Sequence, residues 1–220
     1  MSGKTKTKVY NLIRQEIQFM NMKPGAKIVE ADLCKKFNVS RTPIREALKR
    51  LEEERLVNIY PQKGTYVSKI DFKLVKEVTY MRHIIETDIF IKLCEEKMKV
   101  RGVVEDKLLM METSLKKKDY KAYIRYDNSF HRALFECGGH EMAWDTISGF
   151  MAHYIRVLVL DMMMPYNLEK SYESHLKIVE CIENGYVDEL RKIMDVHHDH
   201  YKTEADDELI KQYPECFVWE

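Results

Sequence analysis

The chain of 220 residues has 36 lysine and arginine residues against 36 aspartate and glutamate residues, so its formal net charge is zero. Its five scattered cysteines have no Cys-x-x-Cys spacing, which argues against a disulfide framework and a zinc ribbon. The lysine-bearing N-terminus has no apolar segment of signal-peptide length, and no apolar run approaches the roughly 18 residues of a membrane span. We therefore expect a reduced, cytoplasmic protein without a membrane partner.

The neutral total conceals an uneven distribution of charge along the chain. Residues 1–70 contain 15 lysines and arginines against 7 acidic residues, whereas residues 71–220 contain 21 against 29. All eight histidines also fall in the second part, beginning with His83. A basic first third favours a polyanionic partner, and two domains, 1–70 and 71–220, fit this break.

Two short helices are predicted at the start of the chain. Apolar residues recur at helical spacing from Val9 to Met20, and the Lys23-Pro24-Gly25 turn follows. A second helix is predicted from about Glu30 to Phe37, ending in a tight turn at Asn38-Val39. This spacing is typical of a helix-turn-helix unit.

A third helix is predicted to begin near Pro43, with Thr42 as its N-cap, because proline is tolerated in the first helical turn. Ile44, Ala47, Leu48 and Leu51 form one apolar stripe, and Arg45 and Lys49 share the opposite face. Because the helix dipole disfavours a cation in the first turn, Arg45 indicates an anionic partner at this end.

A hairpin is predicted after this helix. Val57, Ile59 and Tyr60 suggest one strand and Thr65 to Val67 another, joined by a turn that contains Lys63 and Gly64. A glycine at such a tip lets the backbone approach a ligand closely. The pattern predicts a wing beside the helix-turn-helix unit.

Beyond Asp71 the strand signals nearly disappear and long stretches of helical periodicity follow, separated by brief breaks. We predict six helices here, packed as an antiparallel bundle. The predicted fold is therefore mainly α, with an N-terminal winged helix-turn-helix domain and an all-α bundle.

This order of motifs resembles the GntR family of bacterial transcription regulators, in particular the FadR-like branch with an FCD effector domain. The resemblance covers almost the whole chain. In the first domain it rests on Lys23-Pro24-Gly25, Glu30 with Leu33, the run from Val39 to Leu48, Arg50-Leu51, and Lys63-Gly64 followed by Val67. The family's Glu-Gly-Leu near the end of the third helix is Glu54-Arg55-Leu56 here, so no glycine is available for a left-handed cap.

The resemblance implies a homodimer that binds a roughly palindromic, double-stranded DNA operator, most commonly as a repressor. The third helix would contact phosphates and base edges in the major groove, and the wing would lie near the minor groove. The predicted DNA-binding residues are Ser40, Arg41, Thr42, Arg45, Lys49, Lys63 and Gly64.

Four inward-facing polar residues interrupt apolar stripes in the second domain. Asp127 and His131 lie four apart on one predicted helix, and His175 and His197 lie on the inward stripes of two later helices. His198 and His200 are predicted to point elsewhere. A carboxylate and three imidazoles suit a divalent cation such as zinc, nickel or manganese, and the four residues match the FCD pattern in order and spacing.

By the same resemblance, a small carboxylate effector would bind beside this metal. Arg82 resembles the arginine of the first FCD helix that meets such a carboxylate, and Tyr154 and Arg156 are further candidates. Alternatively, Arg82 is an ordinary surface arginine that pairs with Glu86.

Two other functions are compatible with the histidine pattern. A site of three histidines and one aspartate with open positions could activate water in a metal-dependent enzyme that acts on a small acid. Against an enzyme, no glutamate stands on the same stripe as a general base, and the basic winged module would have no purpose. The third hypothesis is a metal-free regulator in which the histidines form a polar core network.

Overall fold

The computed structural model describes residues 3–161, 168–197 and 205–218. Within these ranges the chain is mainly helical, as predicted. The N-terminal elements are α1 (Gly3–Gln18), β1 (Lys27–Ile28), α2 (Glu30–Phe37), α3 (Arg41–Glu53), β2 (Val57–Tyr60) and β3 (Gly64–Val67).

The predicted wing forms from β2 and β3, which pair antiparallel from Val57 opposite Val67 to Tyr60 opposite Gly64. Gly64 has φ +123°, a backbone conformation that residues with a side chain rarely adopt. This conformation explains why a glycine stands at the tip of the wing. The strand β1, which was not predicted, pairs with the outer side of β3 and completes a sheet of order β1-β3-β2. Its length of two residues is too short for a periodic signal.

The start of α3 differs from the prediction. The helix begins at Arg41 with Ser40 as N-cap, two residues earlier than the predicted start at Pro43. Pro43 consequently lies in the third helical position, where its missing N–H also costs nothing because the first turn has no intrahelical partners. The predicted apolar stripe is buried and packs against α1.

The end of α3 closes without glycine. Arg55 itself adopts the left-handed conformation, with φ 59°. Leu56 N–H then donates to the Leu51 carbonyl at 2.8 Å, and Arg55 N–H donates to the Glu52 carbonyl at 2.9 Å. These two bonds form a Schellman motif, and burial of Leu56 accompanies it. The Arg55 carbonyl is left pointing away from the helix, toward the second part of the chain.

The second part contains more helices than predicted. Eight α-helices occur among its described residues instead of six. The predicted single helix after Gly139 breaks at Met151, and an additional helix lies near the C-terminus. The elements are β4 (Ile70–Asp71), α4 (Phe72–Glu95), α5 (Arg101–Lys116), α6 (Tyr120–Cys137), α7 (Glu141–Phe150), α8 (Ala152–Asp161), α9 (Leu168–Asn184), α10 (Val187–His197), α11 (Ala205–Gln212), a 3-10 helix (Pro214–Cys216) and β5 (Phe217–Val218).

The buried apolar side chains form two clusters, a smaller one around α1, α3 and the wing and a larger one among α4 to α11. The clusters interlock where the two parts meet: Phe19, directly after α1, belongs to the larger cluster, and Ala152 of α8 belongs to the smaller. The boundary between residues 70 and 71 stays a prediction.

The C-terminal segment returns to the connection between the two parts. The strand β5 pairs parallel with β4, which joins the wing to α4. Phe217 is buried and meets the Phe72 ring edge-on, with centroids 6.0 Å apart.

All five cysteines are free thiols. No helix within the described ranges is both long and apolar enough to cross a membrane.

Candidate functional site

The predicted DNA-binding residues lie at the surface of the N-terminal unit. Of the seven, six are exposed and Gly64 is half-buried at the wing tip. The opposite side of α3 is anchored by Ile44 and Leu51, both fully buried. The cationic face is therefore carried on a rigid support, which is what a helix that enters a DNA groove needs.

Arg45 is held by an acidic neighbour. Its Nε atom donates to both carboxylate oxygens of Glu30, at 3.0 and 2.9 Å, although the arginine side chain is 65% exposed. Glu30 is the first residue of α2, so this ion pair links the two helices of the helix-turn-helix unit. An anion that binds Arg45 must compete with Glu30.

The four candidate metal ligands converge inside the bundle. Asp127 and His131 extend from α6, His175 from α9 and His197 from α10. Nε2 of His131 lies 3.2 Å from Nε2 of His175 and 3.4 Å from Nε2 of His197. Oδ1 of Asp127 lies 3.1 Å from Nε2 of His175 and 4.0 Å from Nε2 of His131. His198 and His200 lie outside the described residues.

These spacings fit a shared cation. A tetrahedral ion with metal–nitrogen distances of about 2.0–2.1 Å separates its ligand atoms by about 3.3 Å. The ligating atoms of the three histidines all lie within 4.8 Å of one another, and His131 and His175 are buried. Nδ1 of His175 is buried and has no hydrogen-bond partner among the described residues. The donor set therefore suits a borderline metal ion such as zinc or nickel.

Glu86, predicted only as an alternative partner of Arg82, lies behind this cluster. Its Oε2 is 3.0 Å from His131 Nδ1, and its Oε1 accepts from Arg82 Nε at 2.7 Å. All three side chains are buried. A carboxylate on Nδ1 keeps the hydrogen of the imidazole there and leaves Nε2 free to face the cluster. The sequence signal that could have identified Glu86 was its spacing of four residues from Arg82, which places the two side chains on one side of a helix.

Electrostatics keep the cluster in a form that can bind a cation. Burial alone would raise the pKa of Asp127, but the hydrogen bond from His175 holds it below its usual value. Burial lowers the pKa of His131, with Glu86 opposing this effect. A lowered pKa favours the ionised form of Asp127 and the neutral form of His131, which are the forms that metal ligation requires of these two residues.

The three predicted effector-binding residues separate into two locations. Arg82 and Tyr154 lie beside the cluster, with the Arg82 guanidinium carbon 5.1 Å from the centre of the Tyr154 ring. Arg82 is buried, so it is not the ordinary surface arginine of the alternative prediction. It does pair with Glu86, as that alternative predicted. Arg156 is directed elsewhere: its Nη2 donates to the Ser68 carbonyl at 2.5 Å.

Arg156 belongs to a second group of buried polar contacts, between α8 and the N-terminal unit. His153 of the same helix is 2% exposed; its Nδ1 accepts from Asp71 N–H at 3.0 Å, and its Nε2 lies 3.1 Å from the Arg55 carbonyl. Burial, followed by the positive charge of Arg156, lowers the pKa of His153 to about 4. The sequence did not predict this junction. The partners of His153 and Arg156 are mainly backbone atoms, and a pattern of side chains carries no information about backbone hydrogen bonds.

Comparison with known proteins gives two family matches. The model for bacterial regulatory proteins of the gntR family matches residues 5–67. The model for the FCD domain matches residues 77–200.

Individual relatives extend over most of the chain. It is 27% identical over 190 residues to the HTH-type transcriptional repressor RspR of Escherichia coli, covering 86% of this chain and 83% of that protein. It is 28% identical over 174 residues to the gluconate operon transcriptional repressor of Bacillus subtilis, covering 76% and 68%. The fold of E. coli McbR/YncC is similar, with a TM-score of 0.77 at 18% identity, covering 97% of this chain and 100% of that one.

Proposed function

Because the chain belongs to the gntR family of bacterial regulatory proteins, carries an FCD domain and is a DNA-binding transcription regulator, we propose that it is a cytoplasmic, homodimeric repressor. Residues 1–70 would form its DNA-binding domain and residues 71–220 its effector and dimerisation domain. The relatives that are named for their activity are transcriptional repressors, which supports this mode. The family consists of transcription regulators, so the enzyme hypothesis is abandoned.

The DNA-binding mode rests on the exposed cationic face of α3. Arg41, Arg45 and Lys49 project from the helix whose other side is buried, and Lys63 extends the positive charge to the wing. In a homodimer two such faces would contact two half-sites, so the operator would be roughly palindromic. Ser40 and Thr42 at the helix start and Gly64 at the wing tip would contact phosphates.

The sensing function rests on the convergence of Asp127, His131, His175 and His197. These residues would hold a divalent metal ion, which supplies a Lewis-acidic attachment point for a small carboxylate. Arg82 and Tyr154 lie on the side of the metal site where the effector would bind. Because Arg82 already pairs with Glu86, the effector would have to share the Arg82 guanidinium with that carboxylate. For Arg156 we propose a role at the domain junction instead of effector binding.

A signal from the metal site has a short physical route to the DNA-binding domain. Tyr154 at the site, and His153 and Arg156 at the junction, all lie on α8. A displacement of this helix by the effector would therefore change the contacts to Arg55 and Ser68. The effector can act only by binding more tightly to one of the two domain arrangements.

The single observation that carries this proposal is the spacing of the three histidine Nε2 atoms and the Asp127 carboxylate. We would test it by elemental analysis of protein purified without chelators, comparing the wild type with a His175→Ala, His197→Ala double variant. The wild type should contain one divalent ion per chain and the variant should contain none. A metal-free wild type that still binds its operator would favour the third hypothesis, the polar histidine core.

The DNA-binding part of the proposal has a separate test. Operator affinity should fall steeply as the salt concentration rises, because each neutralised phosphate releases counterions. A salt-independent affinity would contradict the proposed binding face, whatever the metal content.

A further inference from the structure

A second cleft lies between the two parts of the chain, away from the histidine cluster. Its volume is about 470 Å³, and its walls come from α1 on one side and from α6, α7 and α8 on the other. On α6 it uses the stripe of Arg125, Asn128 and Ser129, which is rotated from the stripe that carries Asp127 and His131.

The lining of this cleft is positively charged. It includes Arg14, Arg125 and Arg132 but no acidic residue. Arg14 is paired with Glu54, and Arg132 is paired with Glu136. Arg125 has no carboxylate partner among the described residues; its guanidinium carbon lies 5.6 Å from the centre of the Phe19 ring.

An unsatisfied amide also reaches the cleft. Gln18, the last residue of α1, is only 5% exposed, yet its side chain has no hydrogen bond to any described residue. The amide of Gln18 can therefore donate hydrogen bonds to a ligand in the cleft. On the facing helix, Asn128 donates one hydrogen of its amide group to the Ile124 carbonyl, which leaves the second amide hydrogen available to an anion.

The floor of the cleft is apolar and aromatic. Phe19 and Trp144 line it, and both are buried among other hydrophobic side chains. The Trp144 ring lies parallel to the imidazole of His131, with centroids 6.4 Å apart. A ligand in the cleft would therefore contact Trp144, whose ring lies beside His131 of the candidate metal centre.

We propose that this interdomain cleft is a second ligand site, which binds a small organic anion with a planar apolar body, such as an aromatic carboxylate. Arg125 binds the anionic group, Gln18 and Asn128 supply hydrogen bonds, and the ring lies over Phe19 and Trp144. Because the ligand contacts α1 and α6 together, it stabilises one arrangement of the DNA-binding unit relative to the bundle. This proposal does not depend on a metal ion at the histidine cluster.

The test uses the full-length protein with its natural metal content and titration calorimetry with 2-naphthoate as the probe. The uncharged 2-naphthamide is the matched ligand control. We expect one 2-naphthoate per chain and weaker binding of the amide. Arg125→Gln should weaken the binding of 2-naphthoate by about 10- to 100-fold, because a charge-assisted hydrogen bond to the anion is lost. Arg191→Gln, which removes an exposed arginine of α10, should leave it unchanged.

Gln18→Leu provides an independent variant, since leucine suits the buried position but cannot form hydrogen bonds; it should also weaken binding. The proposal is overturned if 2-naphthoate does not bind at about 10 mM, a concentration that would saturate a site with a Kd of about 1 mM. It is equally overturned if Arg125→Gln binds the probe as the wild type does. In that case, loss of binding after chelator treatment would assign the probe to the histidine cluster.

Discussion

His153 of α8 lies within hydrogen-bonding distance of the backbone carbonyl of Arg55, the residue that closes the third helix in a left-handed conformation. The distance from Nε2 to the carbonyl oxygen is 3.1 Å. Because Nδ1 accepts a hydrogen bond from Asp71 N–H, the single hydrogen of the neutral ring must be on Nε2, and it is donated to Arg55. One neutral imidazole thereby joins the end of α3 to the start of the bundle.

This arrangement predicts a pH-dependent stability. The pKa of His153 is about 4 in the folded protein and 6.5 when unperturbed, so between these values the unfolded chain binds more protons. The free energy of unfolding should therefore fall as the pH decreases from 6.5 to about 4, by at most about 3 kcal/mol from this residue. Denaturant titrations with a chelator present should show a smaller fall in His153→Gln; equal falls would contradict the assignment.

The ion pair between Arg45 and Glu30 predicts opposite effects of two substitutions on operator affinity. Arg45→Ala should weaken specific binding by about 1–3 kcal/mol, since a base or phosphate contact is lost. Glu30→Gln should strengthen it by roughly 0.2–1 kcal/mol, the range of an exposed ion pair that no longer competes. Fluorescence anisotropy at fixed salt would measure both, with Glu105→Gln on α5 as a remote control. Weaker binding by Glu30→Gln would mean that the carboxylate positions Arg45 rather than competing for it.

Glu86 is predicted to position His131 for metal binding. Glu86→Gln removes the carboxylate behind Nδ1, so we expect metal affinity to fall by about 10- to 100-fold. Competition with a chromophoric chelator measures this, and Glu95→Gln, on the exposed side of the same helix, should match the wild type. Since Glu86→Gln also leaves Arg82 unpaired, its unfolding should be followed separately in chelator. Unchanged metal affinity in a folded variant would exclude the positioning role.

Two neighbouring residues of the C-terminal strand β5 differ in burial, so substitutions at the two positions can be compared directly. Phe217 is buried against Phe72, whereas Val218 is exposed. Phe217→Ala should reduce the free energy of unfolding by about 3–5 kcal/mol, and Val218→Ala should change it by less than about 0.5 kcal/mol. Thermal unfolding monitored by circular dichroism would show the difference. Similar melting temperatures for the two variants would indicate that the strand is not docked in solution.

The helical part of the fold was largely predictable because helix periodicity is a local property. The bounds of α2 agree with the prediction, and the stripe from Ile44 to Leu51 is buried. The helix α3 begins two residues before the predicted start near Pro43, and the break at Met151 was not predicted.

The candidate metal ligands were identified for the same reason. Polar residues at positions 127, 131, 175 and 197 stand where a helix repeat demands apolar ones, so the sequence by itself marked them as inward-facing. Their convergence depends on how α6, α9 and α10 pack. The spacing along one helix cannot specify distances between three helices.

The sequence by itself thus determined the winged module, the mainly helical second part, the cationic face of α3 and the inward polar residues, because each is encoded by neighbours along the chain. Only the tertiary structure decided that Glu86 contacts His131, that Arg156 donates to the Ser68 carbonyl, and that Gln18 and Arg125 line one cleft. These relationships join residues that are distant in sequence, or side chains to backbone atoms. Such contacts form only when separate elements pack together, so no periodic pattern along the sequence predicts them.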